Sequence, residues 1–140
     1  MKYMLLINNT REDWEELTTW SHSDIATMGD HMRAVIKDLE ASGEYLGGEG
    51  LGGPARMKVV QARTGAEPLI TDGPMAEAKE LLAGYFAIDV ASEERALEIA
   101  ARVSSAPGKG GAPSNSPIEV HPVMEGPETD PGLLAPYRTQ

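Results

Sequence analysis

Thr71-Asp72-Gly73-Pro74-Met75-Ala76-Glu77-Ala78-Lys79-Glu80 separates two apolar runs. The second of them, Gly84-Tyr85-Phe86-Ala87-Ile88-Asp89-Val90, is the strongest strand signal in the chain. Asp-Gly-Pro is turn chemistry: Gly73 can take positive φ, while Pro74 fixes its own φ and donates no hydrogen bond. Pro74 also biases Gly73 away from the α region, so the chain must change direction just before its central strand. The charged side chains that follow, Glu77, Lys79 and Glu80, are more than a turn requires.

Upstream of the turn, residues 57–62 and 68–71 predict a hairpin across Thr64-Gly65-Ala66. Residues 44–51 read as a strand diluted by Gly47, Gly48 and Gly50, a density that predicts a bulge or a close backbone approach. Before it, Ile25, Met28, Met32, Val35, Ile36 and Leu39 share one stripe at 100° per residue, which predicts a helix over 24–42. Ser23 or Asp24 is placed to cap its start and Gly43 to end it. Residues 11–23 carry Trp14, Leu17 and Trp20 at helical spacing. They read either as a short helical turn or lid over something apolar, or as a loop anchored by two indoles.

At the start, residues 2–7 form a nearly continuous apolar run ended by Asn8-Asn9-Thr10, the mark of a buried strand. After the central strand, Ser92 is expected to cap a second helix over 93–103. Residues 104–116, rich in Gly, Pro and Ser, predict a flexible loop, and a last strand spans 118–124. Gly108-Lys109-Gly110-Gly111 within that loop lacks the spacing of a phosphate loop. The resulting order, β-α-β, hairpin, β-α-β, is a ferredoxin-like α+β sandwich with an extra hairpin. Two helices cover only one face of such a sheet, so the other face is expected to pair with a second copy of the chain. Residues 1–125 form the expected domain, and 126–140 a Pro-rich tail or arm.

Composition narrows the function. Twelve basic residues against 22 acidic ones give a formal charge of −10 in 140 residues, which disfavours nucleic acid and anionic membranes as partners. No apolar run approaches the roughly 18 residues of a membrane span. One Lys followed by a short apolar stretch at the N-terminus is too little for a signal peptide, and the expectation is a cytoplasmic protein. There is no cysteine, hence no disulfide, thiolate ligand or thiol nucleophile. His22, His31 and His121 show no zinc-ligand spacing, and neither a metal nor a cofactor is expected.

The opening Met1-Lys2-Tyr3-Met4-Leu5-Leu6-Ile7, His31, Gly43, Gly47-Gly48-Glu49-Gly50-Leu51, the Asp-Gly-Pro block, Gly84-Tyr85-Phe86 and Ile118-Glu119-Val120-His121-Pro122-Val123 together resemble the YCII-related (DGPF-domain) family of small bacterial proteins. Met75 stands where the family's name puts Phe. The resemblance implies a dimeric α+β barrel with a cavity between sheet and helices. It also implies kinship with monooxygenases, muconolactone isomerases and dehydrochlorinases that act on small ring compounds. Members are often associated with extracytoplasmic-function sigma factors, and some of the wider family are thought to use a His–Asp pair. Where the smaller branch has that Asp, this chain has Glu40 and Ala41.

Two functions compete on these residues. One is a cofactor-free enzyme acting on a small molecule, an isomerase or lyase. His31 at the edge of the apolar stripe would be the base, assisted by Glu49 or Asp72, with Tyr85, Lys79 and Glu77 contacting substrate. The same groups also have plain readings: a locally bonded imidazole, a turn carboxylate and a solvated charge cluster. The other function is a ligand-binding or regulatory module without turnover. The enzyme reading requires His31, Glu49 and Asp72 to converge on one pocket.

Overall fold

The computed structural model describes residues 1–75 and 77–124. Four strands, β1 (Lys2–Thr10), β2 (Tyr45–Gly50), β5 (Glu80–Asp89) and β6 (Ile118–Pro122), form one antiparallel sheet in the order β2-β5-β1-β6. With α2 (His22–Ser42) and α3 (Glu93–Ser104) as the two crossovers, this is the split βαβ arrangement of the ferredoxin-like α+β class. The hairpin of β3 (Lys58–Arg63) and β4 (Ala66–Asp72) is a separate two-stranded sheet inserted between β2 and β5. A short helix, α1 (Arg11–Leu17), follows β1 directly.

Alternation along the two central strands decides which face is buried. Leu5 pairs with Phe86 and Tyr3 with Ile88, and these side chains are buried against Val35 and Leu39 of α2 and Ala96, Ile99, Ala100 and Val103 of α3. Leu5, Leu39, Ile88 and Val35 are the largest fully buried side chains, each stabilising the fold by roughly 1.5–3 kcal/mol. The intervening residues Met4, Leu6, Tyr85 and Ala87 point to the opposite face, away from both helices, and are only half-buried.

Local chemistry follows the sequence closely at the helix ends. Gly43 ends α2 in the left-handed conformation, at φ 78°, as expected. The start differs: α2 begins at His22 and its cap is Ser21, whose hydroxyl accepts from the Asp24 amide, so neither Ser23 nor Asp24 is the cap. The apolar stripe is also longer than its buried part: Val35 and Leu39 are buried, whereas Ile25 in the first turn is 44% exposed. Both expectations for the glycine-rich strand are met. Leu46 bulges between the Tyr45–Ile88 and Gly47–Ala87 pairs. At Gly48 a Cβ would come within 2.7 Å of the Tyr85 carbonyl oxygen.

The loop over 104–116 is not the flexible segment its composition implies. Gly108 N–H donates to the Ala112 carbonyl, and both the amide and the hydroxyl of Ser114 donate to the Ala106 carbonyl. Ser104 Oγ donates to the Ser116 carbonyl at 2.6 Å. These bonds give the loop's backbone the partners that a mobile segment would find in water. The tail expected over 126–140 lies outside the described residues. No helix among the described residues is long and apolar enough to cross a membrane.

One ion pair joins the layers. Arg95 of α3 holds the Glu44 carboxylate bidentately, through Nε to Oε2 at 3.0 Å and Nη2 to Oε1 at 2.9 Å, at the junction of α2 and β2. The Arg95 hydrogen bonds hold the Glu44 carboxyl below its usual range; burial opposes this, and the Ser42 hydroxyl adds to it. Because the folded pKa lies below the unfolded value of about 4.3, the pair contributes fully above that pH. Its contribution is lost as pH falls through the folded pKa. Glu44→Gln is therefore expected to lower unfolding free energy by about 1 kcal/mol at neutral pH, since Arg95 is partly solvated. Denaturant titrations of wild type and variant should converge as pH falls below the usual carboxylate range and through the folded pKa of Glu44.

Candidate functional site

The site begins with the seven residues of α1. Thr10 caps it reciprocally with Asp13: Thr10 Oγ1 accepts from the Asp13 amide at 3.0 Å, and the Thr10 amide donates to Asp13 Oδ2 at 2.8 Å. Glu12, Asp13, Glu15 and Glu16 face water, which turns Trp14 and Leu17 inward, both half-buried. The helical, lid-like reading of this segment is thus the one the structure adopts. The Trp14 ring lies over Gly53, where a Cβ would sit 3.4 Å from Cε3. The indole Nε1 is buried without a hydrogen-bond acceptor among the described residues.

Beneath Trp14 is a cavity of about 380 Å³. Leu51, Pro54 and Met57 from the loop after β2, and Leu81 and Leu82 from the start of β5, complete its apolar wall. A bulge shapes this end of the sheet. Ile7 pairs with Gly84 but Asn8 with Leu82, so Ala83 has no opposite residue on β1, and its carbonyl instead accepts the Leu51 amide at 2.8 Å. Such irregularities re-aim side chains, and here both Leu81 and Leu82 reach the cavity. Among the described residues Arg56 is the one charged side chain in the lining.

The Asp-Gly-Pro turn braces this cavity from behind. Gly73 N–H donates to the Met57 carbonyl at 2.9 Å, and Arg11 Nη2 of α1 donates to the Met75 carbonyl at 3.0 Å. Contacts with Met57 and Val59 also crowd Gly73, where a Cβ would stand 3.1 Å from Val59 Cγ2. The signature therefore ties α1, the hairpin root and β5 together.

Convergence of His31, Glu49 and Asp72 is not found within the chain. His31 sits in the helix layer, its Nε2–H donating to the Arg102 carbonyl of α3 at 2.8 Å, beside the Arg102–Asp38 ion pair at 2.7 Å. That carbonyl, in the last turn of α3, also accepts from the Ser105 hydroxyl at 3.0 Å, so the imidazole and the C-cap share an oxygen that the helix itself leaves free. Glu49 pairs with Tyr85, so both side chains lie on the sheet face turned away from His31. Asp72, at the root of the hairpin, forms an ion pair with Lys58 in solvent. Glu77 and Lys79 are exposed, and Tyr85 is half-buried. None of these six residues lines either of the two cavities described here.

A second, smaller cavity of about 250 Å³ opens beside β1 and β6, bordered by Asn8, Asp13, Glu80 and Glu119. Glu119 accepts from Asn8 Nδ2 at 2.6 Å and pairs with His121 Nε2 at 2.8 Å. Among the described residues no group of three or more His, Asp or Glu side chains is placed to hold a metal ion. On β2, burial raises the pKa of the Tyr45 phenol, and Glu40 and Glu49 add to the shift. The residues that sequence reasoning missed are Arg56, Met57, Leu81 and Leu82. Their one visible signal was the Gly52-Gly53-Pro54 break after the glycine-rich strand.

An antiparallel four-stranded sheet backed by two helices, with an inserted hairpin and an apolar cavity under a short tryptophan-bearing helix, defines a small ferredoxin-like α+β domain. The chain belongs to the YCII-related domain family, whose sequence profile matches residues 1–111. That match ends before β6, although β6 pairs with β1 and completes the same sheet. The chain is also similar to an uncharacterised protein of Rhizobium meliloti (strain 1021). The two are 36% identical over 95 residues, which is 64% of this chain and 73% of that relative.

If His31 clamps α2 to α3, His31→Ala should cost about 1 kcal/mol of stability through the lost hydrogen bond. Amide hydrogen exchange should speed up at the end of α3, with no change at the Trp14 indole resonance.

Proposed function

We propose that this protein is a small-molecule binding module that acts as a homodimer. The observation that carries the reading is the Trp14 cavity. Its volume lies within the roughly 300–1,000 Å³ range of ligand pockets, and its wall is apolar with a single charged group. Acid–base turnover at His31 loses its support, because that imidazole is committed to the Arg102 carbonyl on the far side of the sheet from Glu49. A regulatory readout through a basic partner, such as a sigma factor, fits the formal charge of −10.

The dimeric α+β barrel is part of the proposal. Met4, Leu6, Tyr85 and Ala87 form an apolar strip on the helix-free face, and pairing two such faces would remove it from water. The hairpin adds to the argument. Val60 and Ile70 face each other across β3 and β4 and are each 63% exposed, yet an isolated two-stranded ribbon is marginal in water. A second reading, acid–base chemistry, finds its support in the His121–Glu119 pair beside the acidic cavity rather than in His31.

Two experiments test the proposal. In a thermal-shift screen of one- and two-ring compounds, a ligand at about 100 times its Kd should stabilise wild type by about 2.7 kcal/mol. Trp14→Ala should abolish that shift, and a screen in which no compound acts through Trp14 would count against the module. Sedimentation velocity should give a dimer at micromolar concentration and a folded monomer for Leu6→Glu. A wild-type monomer would remove the barrel.

A further inference from the structure

We propose that the Trp14 cavity selects a ring-bearing organic anion, a compact aromatic carboxylate, with Arg56 as the residue that recognises the charge. This rests on the binding-module reading above and specifies its ligand class.

The argument starts from the loop. Pro54 opens a single 3-10 turn over Pro54–Arg56, closed by the Met57 amide donating to the Pro54 carbonyl at 3.2 Å. Proline's fixed φ makes this turn stiff, so Arg56 is delivered to the cavity from a defined backbone position. The chain has 22 acidic residues, and Arg33, Arg95 and Arg102 all find carboxylates among them. Arg56 forms no ion pair or side-chain hydrogen bond among the described residues, and it lines an otherwise apolar wall. Leu51, Met57, Leu81 and Leu82 offer it no acceptor.

A guanidinium is a planar fork that matches a carboxylate with two parallel hydrogen bonds, and it is less strongly hydrated than an ammonium. The apolar wall fixes where the ring sits, and the exposed guanidinium at its edge then offers the carboxylate a directed, partly solvated contact. The Trp14 indole supplies the flat surface against which a ring packs. A cavity near the lower end of the ligand range suits one or two rings rather than a nucleotide. The protein's overall negative charge repels anions in general, which leaves this arginine as the local exception.

The test is isothermal titration calorimetry on the full chain with 1-naphthoate and its neutral isostere 1-naphthamide. Wild type should bind the carboxylate about tenfold more tightly than the amide, as expected for a charge-assisted pair. In Arg56→Gln that preference should vanish because the carboxylate loses more affinity than the amide, and in Trp14→Ala both affinities should fall. Arg56 is exposed, so the variant should fold normally, which its melting temperature checks. Equal binding of the two probes by wild type, or a preference that survives Arg56→Gln, would overturn the anion assignment and leave the binding module standing. Binding of neither probe would overturn both.

Discussion

Burial of one sheet face under two helices is the constraint on which the rest of this structure depends. Leu5, Phe86 and Ile88 can leave water only if α2 and α3 both lie on their side of the sheet, where Val35, Leu39, Ile99 and Val103 meet them. Two crossover helices are then used up. The alternation of the central strands sends Met4, Leu6, Tyr85 and Ala87 the other way, where no helix among the described residues receives them. The half-covered sheet follows from strand periodicity and a count of helices.

The seams of this arrangement are held by few but directed polar contacts. Arg95 binds Glu44 where α2 hands over to β2, and Arg102 meets both Asp38 and, through its carbonyl, His31. All of these join the helix layer to itself or to the edge of the sheet. They fix which way the helices lie, a matter that apolar packing alone specifies loosely. His31 belongs to this group, which explains why a histidine at the border of an apolar stripe can be structural and still look like a base.

The cavity arises where regular structure gives out. β5 slips by one residue at Ala83, the chain after β2 breaks at Gly52-Gly53-Pro54, and α1 folds back from the end of β1. Three irregularities meet at one end of the sheet, and the Asp-Gly-Pro turn ties them together through Met57 and Met75. The signature block thus supports the cavity from outside without contributing its acid. Its own carboxylate, Asp72, is engaged with Lys58.

Much of the fold was legible in the amino-acid order because it depends on local periodicity and backbone chemistry. The 3.6-residue stripe of α2, the apolar runs of β1 and β5, the Gly43 stop and the crowding at Gly48 are properties of short windows. Composition misled at residues 104–116, since hydrogen bonds such as Ser114 to Ala106 depend on how the loop folds back on itself. The site was less accessible still. His31, Glu49 and Asp72 are chemically suited to act together, but the sheet separates the first two and the hairpin root carries the third away. Conversely, Trp14 stood out along the chain only as part of a possible lid, Arg56 and Leu81 did not stand out at all, and the three are neighbours only in space. Sequence determines which residues can form each element. Which side chains share a cavity is decided by long-range register, by a single-residue bulge and by the path of a loop, and only the tertiary structure contains these.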